Sequence, residues 1–264
     1  MVYPTTDGSK VGHVSSSYFE ELQVSIILLD IEGTTTPLEF VYETLFPYAR
    51  RKLESYLHKH FREPEIESVV QQLHMQQKAE EAHGLQPPNW IEDCDDQLRL
   101  RSCAEYCKWL MVKDSKATTL KTLQGKVWQE GYANGELHGQ VYPDVPSAFK
   151  RWQLQKRKIC LYSSGSILAQ RLLFRSTAYG DLTPLIFAFF DTGVGAKTDL
   201  ESYRKIAQSI LHSPHDFLFI SDSMTELTAA LHTGMQAISC YRDVHLSRPQ
   251  KVMALIHGLD EVFP

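Results

Sequence analysis

The chain has 264 residues, 43% hydrophobic and 22% charged, which suits one large domain or two modest ones with a substantial core. A formal net charge of −5 argues against a nucleic-acid protein, which would carry a clustered basic face. Five cysteines (Cys94, Cys103, Cys107, Cys160, Cys240) form no paired framework, which fits a reducing compartment, and no stretch approaches the roughly 18 apolar residues of a membrane span.

Residues 1–22 are mixed polar, include Ser15-Ser16-Ser17 and lack the apolar centre of a secretory signal. They read as a loosely ordered extension of a soluble cytoplasmic protein, with the nucleus left open as a second location. The first element follows at once. Val24-Ser25-Ile26-Ile27-Leu28-Leu29 is a short apolar run ending in Asp30-Ile31-Glu32-Gly33-Thr34-Thr35, the pattern of a buried parallel strand emptying into a turn.

From Phe40 to Leu137 the texture is helical. Val41, Leu45, Tyr48, Leu53, Tyr56 and Leu57 mark a first helix bent at Pro47; Ile66, Val69, Val70, Leu73 and His74 mark a second. Gln86-Pro87-Pro88-Asn89 interrupts. A third helix carries Leu98, Cys103, Tyr106, Cys107, Leu110 and Met111, and a fourth carries Leu123, Val127, Trp128 and Tyr132. Such a block buries its seams as a bundle, without a sheet.

Beyond it the alternation becomes βα. Asp144 is placed to cap a helix with Phe149 and Trp152 on its inner face. Strands are expected at Ile159–Tyr162, Ile186–Phe190, Phe217–Ile220 and Gln236–Cys240, separated by helices at 167–174, 203–211 and 225–232. Helical connections of this length imply a parallel sheet, and the strand near Val24 belongs to it because one parallel strand cannot bury itself alone. The expected fold is a doubly wound α/β core (residues 23–39 and 138–264) with an inserted helical domain (residues 40–137).

Ligands bind at the carboxyl ends of strands in open α/β sheets, so the residues there are the candidates for chemistry. Asp30 can attack phosphorus, Glu32 can protonate a leaving oxygen, Gly33 permits a sharp turn, and the Thr34 and Thr35 hydroxyls can reach phosphate or cap the next segment. Ser163-Ser164-Gly165-Ser166 offers an anion cradle or merely a loop and N-cap. Lys197 in Asp191–Lys197 supplies a point charge; the same stretch is not a P-loop, which needs glycine at positions 191 and 196. Asp222 suits magnesium or a helix N-cap, and Glu226 suits a supporting hydrogen bond or the first helical turn. Cys103 and Cys107 lack zinc partners, and the eleven histidines show no zinc-protease spacing. The order carboxylates, hydroxyls, lysine, carboxylate at four strand ends suits phosphoryl transfer.

That order resembles the haloacid dehalogenase superfamily. Glu32 in Asp30-Ile31-Glu32-Gly33-Thr34-Thr35, with Leu45-Phe46-Pro47-Tyr48, Leu123-Gln124-Gly125, Tyr162-Ser163-Ser164-Gly165-Ser166, Ala169-Gln170-x-Leu172-Leu173-Phe174 and Glu201-Ser202-Tyr203, narrows the resemblance to the enolase-phosphatases of methionine salvage. The resemblance implies Asp30 as nucleophile and metal ligand, and Glu32 as acid/base group lending its backbone carbonyl to magnesium. It implies Ser163, Ser164 and Lys197 on the phosphate, and Asp222 completing a site for one Mg2+ per subunit. The implied reaction enolises 2,3-diketo-5-methylthiopentyl-1-phosphate and then removes phosphate to leave the acireductone, through an aspartyl phosphate. The helical block is implied to cap the rim, excluding water and shaping a pocket for the methylthio end. This small phosphorylated diketone is the expected partner of a monomer, with no nucleic acid and no membrane. Arg248-Pro249-Gln250 stands where the family usually shows Arg-Pro-Gly-Asn, which puts a local turn in doubt. A magnesium phosphatase for another small metabolite and a catalytically silent phosphate-binding module are the competing readings.

Overall fold

The computed structural model describes residues 16–91, 95–242 and 254–264. Cys94 and Arg248-Pro249-Gln250 lie outside the described residues, as do residues 1–15 of the extension.

The chain divides into two compact units. The first comprises residues up to Leu38, Gln140–Ile167 and Thr177–Pro264. Its strands β1 (Ile26–Leu29), β2 (Lys158–Tyr162), β3 (Ala188–Phe190), β4 (Phe217–Ser221), β5 (Gln236–Cys240) and β6 (Leu255–Ile256) form one sheet in the order β3-β2-β1-β4-β5-β6. Every neighbouring pair is parallel, with Ile26 opposite both Lys158 and Phe217. The whole of β1 is buried because an unbroken Ile-Ile-Leu-Leu run has apolar side chains for both faces. On one face Ile26 and Leu28 join Tyr162, Phe217, Phe219, Tyr203 and Leu227 in the main core cluster. Each fully buried aliphatic side chain there contributes roughly 1.5–3 kcal/mol. Chain order reverses about β1, since β2 continues the sheet on one side and β4 on the other. A crevice for a ligand opens at such a point, at the carboxyl ends of β1 and β4.

The helices of this unit follow the apolar pattern: α6 (Val145–Leu154) buries Phe149 and Trp152, α8 (Leu200–Ser209) buries Tyr203 and Ile206, and α9 (Met224–Leu231) buries Leu227 and Ala230. Several details differ from the sequence reading. Ser16–Glu21, within the expected extension, form the short helix α1, with Phe19 buried edge-on to Phe263 at 5.3 Å. Ile186 and Phe187 precede β3 instead of lying in it, and β6 is additional to the expected strands because two residues carry no periodicity. Asp144 sits at the N-cap of α6 but makes no capping bond. Its Oδ2 instead accepts from Arg242 Nη1 at 2.6 Å and Leu259 N–H at 2.5 Å, a charge-assisted pairing that outcompetes a neutral cap.

The second unit holds Glu39–Gly139 and Leu168–Ser176. Its helices are α2 (Phe46–His60), α3 (Pro64–Ala82), α4 (Asp96–Val112) and α5 (Thr118–Ala133), joined by most of α7 (Ile167–Arg175). The bend expected at Pro47 is a change of helix type: Phe40–Leu45 is a π-helix that gives way to α2, with Pro47 in the first turn where its missing N–H costs nothing. Trp128 on α5 donates to the Leu45 carbonyl at 2.8 Å and fixes this junction. Residues 168–176 belong to the α/β core by sequence alone, yet the structure groups them with the helices. Gly139 explains why: its N–H donates to Ser176 at 2.8 Å, and an added Cβ there would lie 1.9 Å from the Leu173 carbonyl oxygen.

Candidate active site

Asp30 leaves β1 with its N–H still bonded to the Ile220 carbonyl at 3.0 Å, so the sheet itself sets its backbone. The following loop is tight. The Ile31 carbonyl accepts from the N–H groups of Thr34, Thr35 and Thr36 at 3.2, 2.9 and 2.9 Å, and Gly33 N–H donates to Thr36 at 2.8 Å. Gly33 has φ +75, and a Cβ added there would stand 2.2 Å from Asp222 Oδ2. The glycine is required twice over, for the turn and for the approach of Asp222. Thr34 and Thr35 are buried, and the Thr35 hydroxyl reaches the carbonyls of Asp30 and Ile31 at 3.3 and 3.2 Å. The Thr35 hydroxyl thus helps hold the loop, whereas the buried Thr34 hydroxyl has no hydrogen-bond partner among the described residues. Arg242 closes it from the end of β5, donating from Nε and Nη2 to the Thr34 carbonyl at 2.9 and 2.7 Å.

Lys197 arrives from the loop after β3. Its ammonium lies 2.5 Å from Asp30 Oδ1 and 2.7 Å from Glu226 Oε2, and the side chain is only 9% exposed. Burial opposes this charge, but Asp30 and Glu226 outweigh it and raise the lysine pKa, so the ammonium is permanent. Ser221, the last residue of β4, bridges the two acids, its hydroxyl 3.2 Å from Asp30 Oδ2 and 3.2 Å from Glu226 Oε2. Glu226 fulfils both sequence readings: it lies in the first turn of α9 and it makes a supporting hydrogen bond. Burial, then the charge of Asp30, pushes its carboxyl up to about 7.

Glu32 has a different hydrogen-bond partner. Ser163 Oγ lies 3.0 Å from each Glu32 oxygen and accepts the Gly165 N–H at 2.9 Å. Desolvation and then the Asp30 charge raise the Glu32 pKa, the direction a proton donor needs near neutrality. Ser164, the residue after Ser163, is half-buried. Asp222 is pushed up to about 6, by burial first and by Asp30 second. Asp30, Glu32, Lys197, Ser163 and Asp222 are thus brought together from the ends of β1, β2, β3 and β4.

Whether magnesium suits this donor set can be tested on its charges. Asp30, Glu32, Asp222 and Glu226 interact through charge, and Lys197 is the cation that the raised carboxylates share as a compensating neighbour. A divalent ion relieves that repulsion. No three His, Cys, Asp or Glu side chains converge as a metal cage among the described residues. Asp30, Asp222 and a backbone carbonyl make the smaller set that magnesium accepts while keeping several waters, so the residues fit.

Ser221 and Arg242 escape sequence reasoning. Ser221 directly follows the expected strand Phe217–Ile220, next to the more conspicuous Asp222, and Arg242 acts through a backbone carbonyl 208 residues away in sequence. Neither position has a local pattern.

Comparison with known proteins adds an independent line. A family model described as haloacid dehalogenase-like hydrolase matches residues 24–234. Enolase-phosphatase E1 of Drosophila simulans is 41% identical over 84% of this chain and 85% of its own length. Enolase-phosphatase E1 of Synechococcus elongatus is 39% identical over 91% of this chain and 98% of its own. The crystal structure of the UTR4 protein of Saccharomyces cerevisiae superposes with a TM-score of 0.72 at 31% identity, covering 89% of this chain and 98% of that one.

Proposed function

Because this chain belongs to the haloacid dehalogenase-like hydrolase family, we propose that it acts as an enolase-phosphatase on 2,3-diketo-5-methylthiopentyl-1-phosphate in methionine salvage. The observation that carries the reading is Asp30 at the end of β1, fixed by Lys197 at 2.5 Å, with a raised Glu32 held by Ser163 beside it. Relatives bearing that activity in their name support the assignment over most of the chain.

In the first step a proton leaves carbon 1 of the substrate, the carbon 1–carbon 2 double bond forms, and the carbonyl oxygen at carbon 2 takes a proton. An Asp30 oxygen then attacks phosphorus while the bond from phosphorus to the carbon 1 oxygen breaks. Glu32, protonated, gives its proton to that leaving oxygen, and the acireductone departs. The Glu32 carboxylate next removes a proton from water, which attacks the aspartyl phosphate and restores Asp30. Ser163, Ser164 and the Lys197 ammonium hold the phosphoryl oxygens.

Hydrolases of this family are generally magnesium-dependent. Asp30, Asp222 and the Glu32 backbone carbonyl would hold one ion, which supplies positive charge to the transferring group. A monomeric cytoplasmic enzyme completes the reading, and sedimentation and fractionation test those two points.

The decisive experiment supplies the diketone phosphate and follows enediol absorbance and phosphate together. Joint appearance of both is expected. Phosphate without the absorbing product leaves a phosphatase for another small metabolite, and neither signal leaves a silent phosphate-binding module.

A further inference from the structure

Glu201-Ser202-Tyr203 stands out in the sequence, yet none of these side chains touches the carboxylate cluster. The structure gives two of them a place. Three consecutive carbonyls precede α8, those of Gly195, Ala196 and Lys197, and each accepts a hydroxyl: Tyr162 at 2.9 Å, Ser202 at 2.7 Å and Tyr203 at 2.7 Å. A strand-to-helix loop ordinarily gives its carbonyls to water. Here the donors come from β2 and from the first turns of α8, and all three residues are buried.

Fixing a lysine this way has a physical purpose. Its four-carbon stem is flexible, and confining the head needs a confined backbone. Gly195 makes the confinement possible: its φ is +141, and an added Cβ would stand 2.2 Å from Ser202 Oγ. The Tyr203 ring is already locked edge-on by Phe219 at 5.2 Å and Tyr162 at 5.6 Å, so phenylalanine would pack as well. A buried hydroxyl added to a ring that packs without it costs desolvation unless it has a partner, and the partner is the carbonyl of Lys197 itself.

We propose that Tyr162, Ser202 and Tyr203 are positioning residues that clamp the Gly195–Lys197 backbone and deliver the Lys197 ammonium to phosphate. The proposal rests on the phosphate-holding role of Lys197 given above. During turnover the ammonium must pass from Asp30 to a phosphoryl oxygen, freeing the nucleophile, while the backbone behind it stays still.

The test uses Tyr203→Phe, with Ser202→Ala as the second variant should the first fail to fold, each made in the natural chain and in Lys197→Ala. Inorganic phosphate is the probe, read as its competitive inhibition constant beside KM, kcat and the magnesium titration. Lys197→Ala alone should weaken phosphate roughly 10- to 100-fold. Tyr203→Phe should weaken it about fivefold, raising KM more than it lowers kcat and leaving the magnesium titration in place. In Lys197→Ala the same change should add nothing, because the clamped group is gone. Equal weakening in both backgrounds, or a lower melting temperature with unchanged phosphate inhibition, overturns the proposal and leaves the hydroxyls structural. Unchanged inhibition in Lys197→Ala itself overturns the phosphate role of the lysine, and this inference with it.

Discussion

Each unit carries a cluster of carboxylates around cations, and the two clusters differ in burial. In the core, Lys197 is 9% exposed between Asp30 at 2.5 Å and Glu226 at 2.7 Å. In the helical unit, Lys59 is 62% exposed and meets Glu130 at 3.0 Å, while His60 reaches Glu130 at 2.7 Å and Glu63 at 2.6 Å. The distances are alike. Their consequences are not, because water screens the second cluster and is excluded from the first. In the core two acids, Asp222 and Glu226, are driven up to about 6 and about 7, whereas Glu130 in the helical unit is lowered as an ordinary surface acid beside a lysine would be. Burial converts an ion pair into a site for chemistry; exposure leaves it a minor fastening.

The contrast can be broken most forcefully at Asp30. Asp30→Asn keeps the shape but removes the attacking oxygen anion, and turnover should fall by about 10⁴-fold or more. Phosphate release is measured on protein whose mass confirms that the amide has not reverted. Near-normal release would transfer the nucleophilic role elsewhere. Next in size is Glu32→Gln, expected to slow dephosphorylation by about 10²- to 10⁴-fold while enolisation falls less. The leaving oxygen needs a proton that glutamine cannot give, whereas enolisation precedes cleavage of that bond. An enol phosphate should therefore appear in the ultraviolet before phosphate does, and parallel decline of both steps would place Glu32 in the proton transfer at carbon as well.

Asp222→Ala addresses the metal. A hard dication loses an anionic oxygen, and its affinity should drop by roughly 100-fold or more. A normal magnesium titration with full activity would remove Asp222 from the metal set; it does not cap α9 either, whose N-cap position is held by Ser223.

The sheet is largely legible in the sequence because β1 to β5 are short, mainly apolar runs, and three of them are followed at once by a polar residue with chemistry. Asp30, Ser163 and Asp222 can be singled out for that reason, whereas Lys197 lies further along the loop after β3. What stays hidden acts across sequence distance or through backbone atoms. Arg242 holds the Thr34 carbonyl, Ser221 bridges Asp30 and Glu226 from within β4, and Asp144 faces Arg242 in place of capping α6. Periodicity also cannot distinguish a π-helix from an α-helix over six residues, so Phe40–Leu45 reads as ordinary helix. The grouping of Leu168–Ser176 with the helices depends on a backbone approach at Gly139, which no local pattern announces.

The smallest expected effect lies in the exposed cluster. Both ring nitrogens of His60 face carboxylates, Glu63 and Glu130, its ring stacks on Tyr56 at 4.3 Å, and Lys59 lies beside it on Glu130. Burial works to lower the His60 pKa, but the two hydrogen-bonded acids outweigh it and raise it above the ordinary 6.5. A histidine raised on folding stabilises fully below its unfolded pKa and loses that contribution as pH climbs through the folded value. Glu130, lowered on folding, contributes only above its ordinary 4.5, so the network is strongest between about pH 5 and 6.5. His60→Gln should then cost about 1 kcal/mol or less near pH 6 and almost nothing near pH 9. Three of the four tryptophans, Trp90, Trp109 and Trp128, lie in the helical unit, so fluorescence-monitored unfolding reports on it directly. A difference between natural chain and variant that grows with pH would reverse the assigned charge state of His60, and turnover at pH 6 should be the same in both.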